Sequence, residues 1–267
     1  MRRSDPGRHR VRVVKVGGRP QGDPSLAGQL TAVWAAAPGS LVVVHGGGDE
    51  VSALQRAFGV EPTFVNGRRV TQPADVERLR MALSGSANKR LVSALVGVGA
   101  RAIGLSGEDG GLIGARVTDP AMGRVGSPAT VNAELLQFLL NGGYLPVISP
   151  LSRDLQAAFG EPAALNVNGD DAAAAIAIAA DASELLLVSD VPGVLVDGAV
   201  VPRLTPGEIR DLVADGTAAG GMAAKLDAAV AALDGGVPRV RIGNLAAIAD
   251  LDCGTVVSRA DQPAWSA

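Results

Sequence analysis

Short runs of aliphatic and β-branched residues alternate along this chain with stretches whose apolar positions recur at helical spacing, the pattern of strands interleaved with helices. Strands are expected over 11–16, 41–45, 101–105, 145–149, 184–189 and 239–242. The helix expected over 25–36 carries Leu26, Leu30, Val33 and Trp34 on one face and stops before Pro38. Further helices are expected over 74–83, 87–96, 132–140 (closed by Gly142 and Gly143), 171–180 and 222–233. Between Leu112 and Val131 the helical period is lost; Gly, Pro and alternating valines predict hairpins there, with a lid as one role for them. The alternation argues for a parallel or mixed α/β sandwich.

Composition narrows the class of protein. With 267 residues, 47% of them hydrophobic, the chain can bury a full core as one large domain or two closely packed lobes, and a disordered protein is excluded. A net charge of −3 gives no global positive field, so nucleic acid is not an expected partner and any anion site must be local. A lone cysteine, Cys253, rules out an intrachain disulfide framework and suits a reducing cytoplasm. No stretch is long and apolar enough to span a bilayer, and residues 1–10, with five basic positions counting His9, are expected as a frayed arm rather than a leader.

Candidate chemistry lies at the ends of the apolar runs. Lys15 follows Val13 and Val14 and precedes Gly17 and Gly18, and Lys225 follows Gly220 and Gly221. Two cations beside glycines that expose backbone N–H groups are what a transferring phosphoryl group needs. A second glycine run, His45-Gly46-Gly47-Gly48, sits between a strand and a helix, where the backbone can either approach an anion or make a tight turn. His45 has no partners for a metal site, so packing is its expected role, and no metal ligands are expected elsewhere. Arg68 and Arg69 follow Asn66-Gly67, and one of them can hold a carboxylate through paired hydrogen bonds. Asp170, in Asn166-Val167-Asn168-Gly169-Asp170, can cap its helix or hold lysines in place. Ser189 and Asp190 end a buried strand, where open α/β sheets place their ligand crevice, and Pro192-Gly193 supplies a turn.

Taken in order, these segments, with Leu83 to Lys89 and Gly104 to Gly111, resemble the amino acid kinase family over nearly the whole chain. The resemblance implies a three-layer α/β/α sandwich around a mainly parallel sheet, in a single domain over 11–267 whose acyl amino acid part is about 11–150 and nucleotide part about 151–267. It implies an enzyme: the side-chain carboxylate of N-acetyl-L-glutamate attacks the γ-phosphate of ATP, in arginine biosynthesis. Lys15 and Lys225 would stabilise the transferring phosphoryl group and Asp170 would orient both. Gly17, Gly18, Gly46 and Gly47 would hydrogen-bond phosphoryl oxygens and substrate. Arg69 and Asn166 would hold the substrate, and Asp190, Val191, Pro192, Gly193, Val194 and Leu195 would line the nucleotide pocket. Mg²⁺ would ride on the ATP. A homodimer formed through the central helices is expected. Alternatives are a related kinase acting on carrier-protein-linked aminoadipate or glutamate, and a non-catalytic nucleotide-binding protein. The sequence departs from the family's usual pattern at Arg68, where an apolar residue is common, and at Asp171, where a Gln is common.

Overall fold

The computed structural model describes residues 11–65, 67–158 and 163–259, and the expected basic arm lies outside them. β1 (Arg12–Val16) leads through α1 (Leu26–Ala36) to β2 (Leu41–His45), and α2 (Gly48–Ala57) follows. A small hairpin of β3 (Phe64–Val65) and β4 (Arg68–Arg69) precedes α3 (Asp75–Leu79), a π-helical segment (Arg80–Ala87) and α4 (Asn88–Gly97). Next come β5 (Ala102–Gly107), β6 (Ile113–Val117), β7 (Val125–Val131), α5 (Ala133–Asn141) and β8 (Leu145–Asp154). They are followed by β9 (Ala164–Val167), α6 (Gly169–Ala179) and β10 (Glu184–Val188). The remainder holds β11 (Leu195–Val196), β12 (Ala199–Val200), β13 (Arg203–Leu204), α7 (Pro206–Ala214), α8 (Gly220–Asp234), β14 (Val240–Gly243), α9 (Ala246–Ala249) and β15 (Thr255–Val257).

Two expectations change. The break expected between helices near Ser84-Gly85-Ser86 is absent: Leu79, Arg80, Ala87 and Asn88 all keep right-handed helical angles, and the chain continues through the wider π turn. The interval expected as a possible lid is a hairpin, β6 against β7, built into the central sheet through β8 and β9. Its valines alternate because one face of that hairpin packs on the core.

Eleven strands form the sheet in the order β13-β15-β14-β10-β1-β2-β8-β6-β7-β9, with β5 also paired to β8. The centre is parallel: β1 pairs with β10 and β2, β10 with β14, and β2 with β8. Side chains alternate across a strand, so β1 feeds two cores. Val13 packs with Val42, Val44 and the alanines of α6 and α8; Val14 and Val16 pack with Leu30 and Trp34 of α1 and Leu91 and Leu95 of α4. That division is the three-layer α/β/α sandwich. Alanine abounds in α6 and α8 because Ala172, Ala173 and Ala177 meet Ala228, Ala229 and Ala232 where the two helices pack beneath the same sheet face.

A charged cluster unread in the sequence ties together the starts of the parallel strands. Arg241, fully buried in β14, donates to Glu184 at 2.6 Å and to the carbonyls of Ala247, Asp250 and Cys253; Arg12 donates to the other Glu184 oxygen at 2.7 Å. Each nitrogen of the Arg241 guanidinium thereby has an acceptor, which is how a guanidinium tolerates complete burial.

At the opposite ends of these strands, Val16 lies beside His45 and Val188. His45 falls on the α4 face by parity. Its Nε2 lies 3.0 Å from Asn88 Nδ2, which also donates to the Val147 carbonyl at 2.9 Å, so the histidine packs, as expected, rather than ligating. Burial drives its pKa down to about 4, with Lys15 and Lys89 pushing the same way against the Gly46 carbonyl. The unfolded chain, with an ordinary imidazole near 6.5, therefore takes up the proton first. His45 favours the folded state fully above about pH 6.5 and loses that contribution as pH falls towards 4. Urea unfolding should show wild type losing up to about 3 kcal/mol more than His45→Asn between pH 7.5 and 4.5; parallel pH profiles would contradict this assignment.

Candidate active site

The site forms where β1, β2 and β10 end, the edge at which open α/β sheets bind ligands. Val11, Val13 and Lys15 share a face of β1, so the apolar alternation that builds the core also aims Lys15 at α6. Asp170 stands in the first turn of α6, and one of its oxygens, Oδ1, lies 2.9 Å from Lys15 Nζ and 3.0 Å from Lys225 Nζ. Lys225 reaches it from the second turn of α8. All three are nearly closed to solvent, at 8% exposure for Lys15, 7% for Lys225 and 5% for Asp170.

Burial alone would raise the Asp170 carboxyl; the two ammonium groups override it and hold the pKa at about 2. Burial lowers the Lys225 pKa, Lys15 lowers it further, and Asp170 opposes both. Helix capping does not explain Asp170, because Asn168 is the cap: its Oδ1 accepts the Asp170 N–H at 2.8 Å. The Asn at that position, two residues before the Asp, was the sequence signal for this.

Two cavities meet here. The first, about 220 Å³, is walled by Lys15, the Gly46–Gly48 turn, Arg68, Arg69, Asn166 and Asp170, with Leu79, Leu83 and Phe64 as its apolar side. The second, about 300 Å³, is walled by Gly17, Gly18, Arg19, Gly48, Ser189, Asp190 and Lys225. Gly18 and Gly48 belong to both. Each cavity draws residues from before and after Pro150, so neither belongs to one half of the chain.

The glycine runs divide their work differently from the expectation. Gly17 N–H bonds to Val188 O at 3.1 Å and Gly46 N–H to Val16 O at 2.9 Å, so these two amides tie the strand ends together and are not the donors expected for a ligand. Gly47 and Gly48 open α2, where the first N–H groups have no acceptor within the helix and suit an anion. Gly47 has φ 153°, and a Cβ there would come within 2.7 Å of Leu83. The π segment that carries Leu83 thus presses against the turn that only glycine can make.

Arg69 is buried and fixed: it donates to the Gln55 side chain, to Gly48 O at 2.7 Å and to Ser52 Oγ at 2.8 Å, with Phe64 stacked 4.7 Å away. Gln55 and Ser52, on α2, were not singled out from the sequence. Asn166 lines the same cavity and donates to Thr71 Oγ1 at 2.9 Å. Asp190 lines the second cavity and pairs with the exposed Arg19 at 2.9 Å. Val191, Pro192, Gly193, Val194 and Leu195, in the loop that follows, do not line the second cavity. Val194 is 2% exposed and packs in the core with its N–H on Thr255 Oγ1, and Leu195 enters the β11–β12 hairpin. Of the apolar residues after Asp190, Val194 satisfies the core, whereas Leu195 stays exposed.

Comparison with known proteins agrees with this geometry. Residues 10–244 match the model of the amino acid kinase family. The chain is 46% identical to an acetylglutamate kinase of Chloroflexus aurantiacus over 90% of this chain and 94% of the relative, and 45% identical to an acetylglutamate kinase of Roseiflexus castenholzii over 92% and 93%. Among solved structures it resembles smu.665 from Streptococcus mutans (TM-score 0.82, 27% identity, covering 93% of this chain and 98% of that one). It also resembles the N-acetylglutamate synthase of Neisseria gonorrhoeae complexed with coenzyme A and N-acetyl-glutamate (TM-score 0.77, 26% identity, covering 97% of this chain and 61% of that one). With the family model spanning most of its length and the paired lysines held at the sheet edge, the chain belongs to the amino acid kinase family.

Proposed function

We propose that this chain transfers the γ-phosphoryl group of ATP to the side-chain carboxylate of N-acetyl-L-glutamate, a step of arginine biosynthesis. The observation that carries this reading is the placement of the lysines: Lys15 walls the first cavity, Lys225 the second, and one oxygen of Asp170 holds both. An acceptor in the first cavity and nucleotide phosphates in the second meet at that pair. The acceptor oxygen attacks the γ-phosphorus, the bond from phosphorus to the β–γ bridging oxygen breaks, and ADP leaves with the electron pair. The acceptor is ionised at neutral pH, so no general base is needed and catalysis rests on alignment and charge.

In this scheme Arg69 pairs with the acceptor's free carboxylate, Asn166 and the Gly47 amide hold its remaining polar groups, and the Gly47, Gly48 and Gly18 backbone faces the transferring group. Gly17 and Asp190 border the nucleotide. The donor set fits a polyphosphate: two lysines and a helix N-terminus, facing both cavities. Among the described residues no three His, Cys, Asp or Glu side chains gather as metal ligands, so Mg²⁺ would be carried on the phosphates, where it supplies charge neutralisation. No helix of the described residues is long and apolar enough to cross a membrane. We place the enzyme in the cytoplasm as a homodimer, for which sedimentation is the check.

A coupled ADP-release assay over N-acetylglutamate, glutamate, aspartate and carrier-linked substrates should give turnover with N-acetylglutamate well above the others; preference for another acceptor would overturn the reading. In that assay Lys15→Ala and Lys225→Ala should each lower kcat by on the order of 10²-fold or more, the scale of losing one preorganised charge donor, with folding retained. Near-normal turnover in either variant would make that lysine structural. Arg69→Lys should raise the KM for the acyl amino acid far more than that for ATP, since the planar fork is lost and the charge kept, whereas Arg68→Lys should change neither. The opposite ranking would move substrate recognition to Arg68.

A further inference from the structure

Arg68 and Arg69 are neighbours on β4 with opposite attachments. Arg69 is bound to α2; Arg68 lines the same cavity and pairs through Nη1 with Oδ2 of Asp171, the residue after Asp170 on α6. The hairpin carrying both arginines also touches α8, because a side chain at Gly67 would lie 2.8 Å from the Gly220 carbonyl carbon. It therefore rests on the first turns of the two helices that present Asp170 and Lys225.

The pair is not an ordinary surface contact. Its side chains are 29% and 16% exposed, and the groups acting on Asp171 are Arg68 from β4, Asp170 from its own helix and Asp227 from α8. Arg68 is the cation of that set. Burial pushes the Asp171 carboxyl up and the two aspartates push the same way, while Arg68 draws it down. Without Arg68, an ionised Asp171 would stand unpaired beside Asp170, at the edge of a cavity whose ligands are themselves anionic. That negative charge would oppose both the lysine pair and the acceptor, and removing one partner of a buried pair leaves the other uncompensated.

We propose that Arg68 is a positioning residue for phosphoryl transfer: it neutralises Asp171, so that Asp170 alone sets the charge between the two lysines, and in doing so seats the Arg69 hairpin against α6. This rests on the acceptor and donor assignments above. It requires the charge of Arg68 and not its shape, and it makes Asp171 the source of the damage when Arg68 is lost.

The test is steady-state kinetics of the full chain with ATP and N-acetyl-L-glutamate. At pH 8, Arg68→Met should lose at least about tenfold in kcat/KM for the acyl amino acid, Arg68→Lys should stay within about threefold of wild type, and the double variant Arg68→Met/Asp171→Asn should return to within about threefold. Lowering the pH should shrink the Arg68→Met defect, in the direction in which burial and the neighbouring aspartates push the Asp171 carboxyl, and the double variant should lack that pH dependence. Arg68→Gln, which keeps an amide donor without charge, should follow Arg68→Met. Urea midpoints at pH 8 should rank the variants in the same order without any need for turnover. A double variant as impaired as Arg68→Met, or an Arg68→Met enzyme within threefold of wild type, would overturn the proposal. Wild-type turnover in the same assay tests the reading of function separately, since only the ranking among variants bears on Arg68.

Discussion

Two lysine ammonium groups share a single oxygen of Asp170, at 2.9 and 3.0 Å, in a place almost closed to water. Without that carboxylate the cations would repel one another at short range and low dielectric. With it they form a cluster of net positive charge whose Nζ atoms remain at the junction of two cavities. The surrounding fold satisfies the demands of this contact. β1 delivers Lys15 by parity, Asn168 caps α6 so that Asp170 is free for the lysines, and the close packing of alanine-rich α6 and α8 brings Lys225 within reach. The cluster costs stability by ordinary reckoning, because desolvating three charges is rarely repaid by their mutual attraction. Its retention at the ligand edge of the sheet fits a chemical purpose.

The charges at the two ends of the parallel strands have different characters. At their starts, every guanidinium nitrogen of Arg241 and Arg12 has an acceptor in Glu184 or a main-chain carbonyl, and Arg241 has no exposed surface. At their ends, Lys15, Lys225 and Arg69 are nearly buried yet border open space. Saturated buried charge is structural, and buried charge facing a cavity is available to a ligand.

Much of this was legible in the sequence. Aliphatic runs located the six principal strands, the Lys-x-Gly-Gly and Gly-Gly-x-x-x-Lys spacings located both lysines, and Asp170 was placed with them. What stayed hidden depends on long-range contact. Nothing local says that Gly17 and Gly46 amides bond across strands, or that Val194 packs in the core. Ser84-Gly85-Ser86 reads as a helix break, yet the structure runs a continuous π segment through it, with Leu83 set against the Gly47 turn. Arg68 and Asp171 stand 103 positions apart, and the structure makes them partners.

The central claim, that the Lys15–Asp170–Lys225 cluster is kept for chemistry at the expense of stability, is tested most directly by urea unfolding of a variant in which all three are neutral, Lys15→Met/Asp170→Asn/Lys225→Met, beside Asp170→Asn alone. Asp170→Asn alone should lose about 3–5 kcal/mol, the scale of leaving buried charges unpaired. The triple variant should be at least as stable as wild type and transfer no phosphoryl group. A triple variant as unstable as Asp170→Asn would contradict the account and make the cluster a structural element.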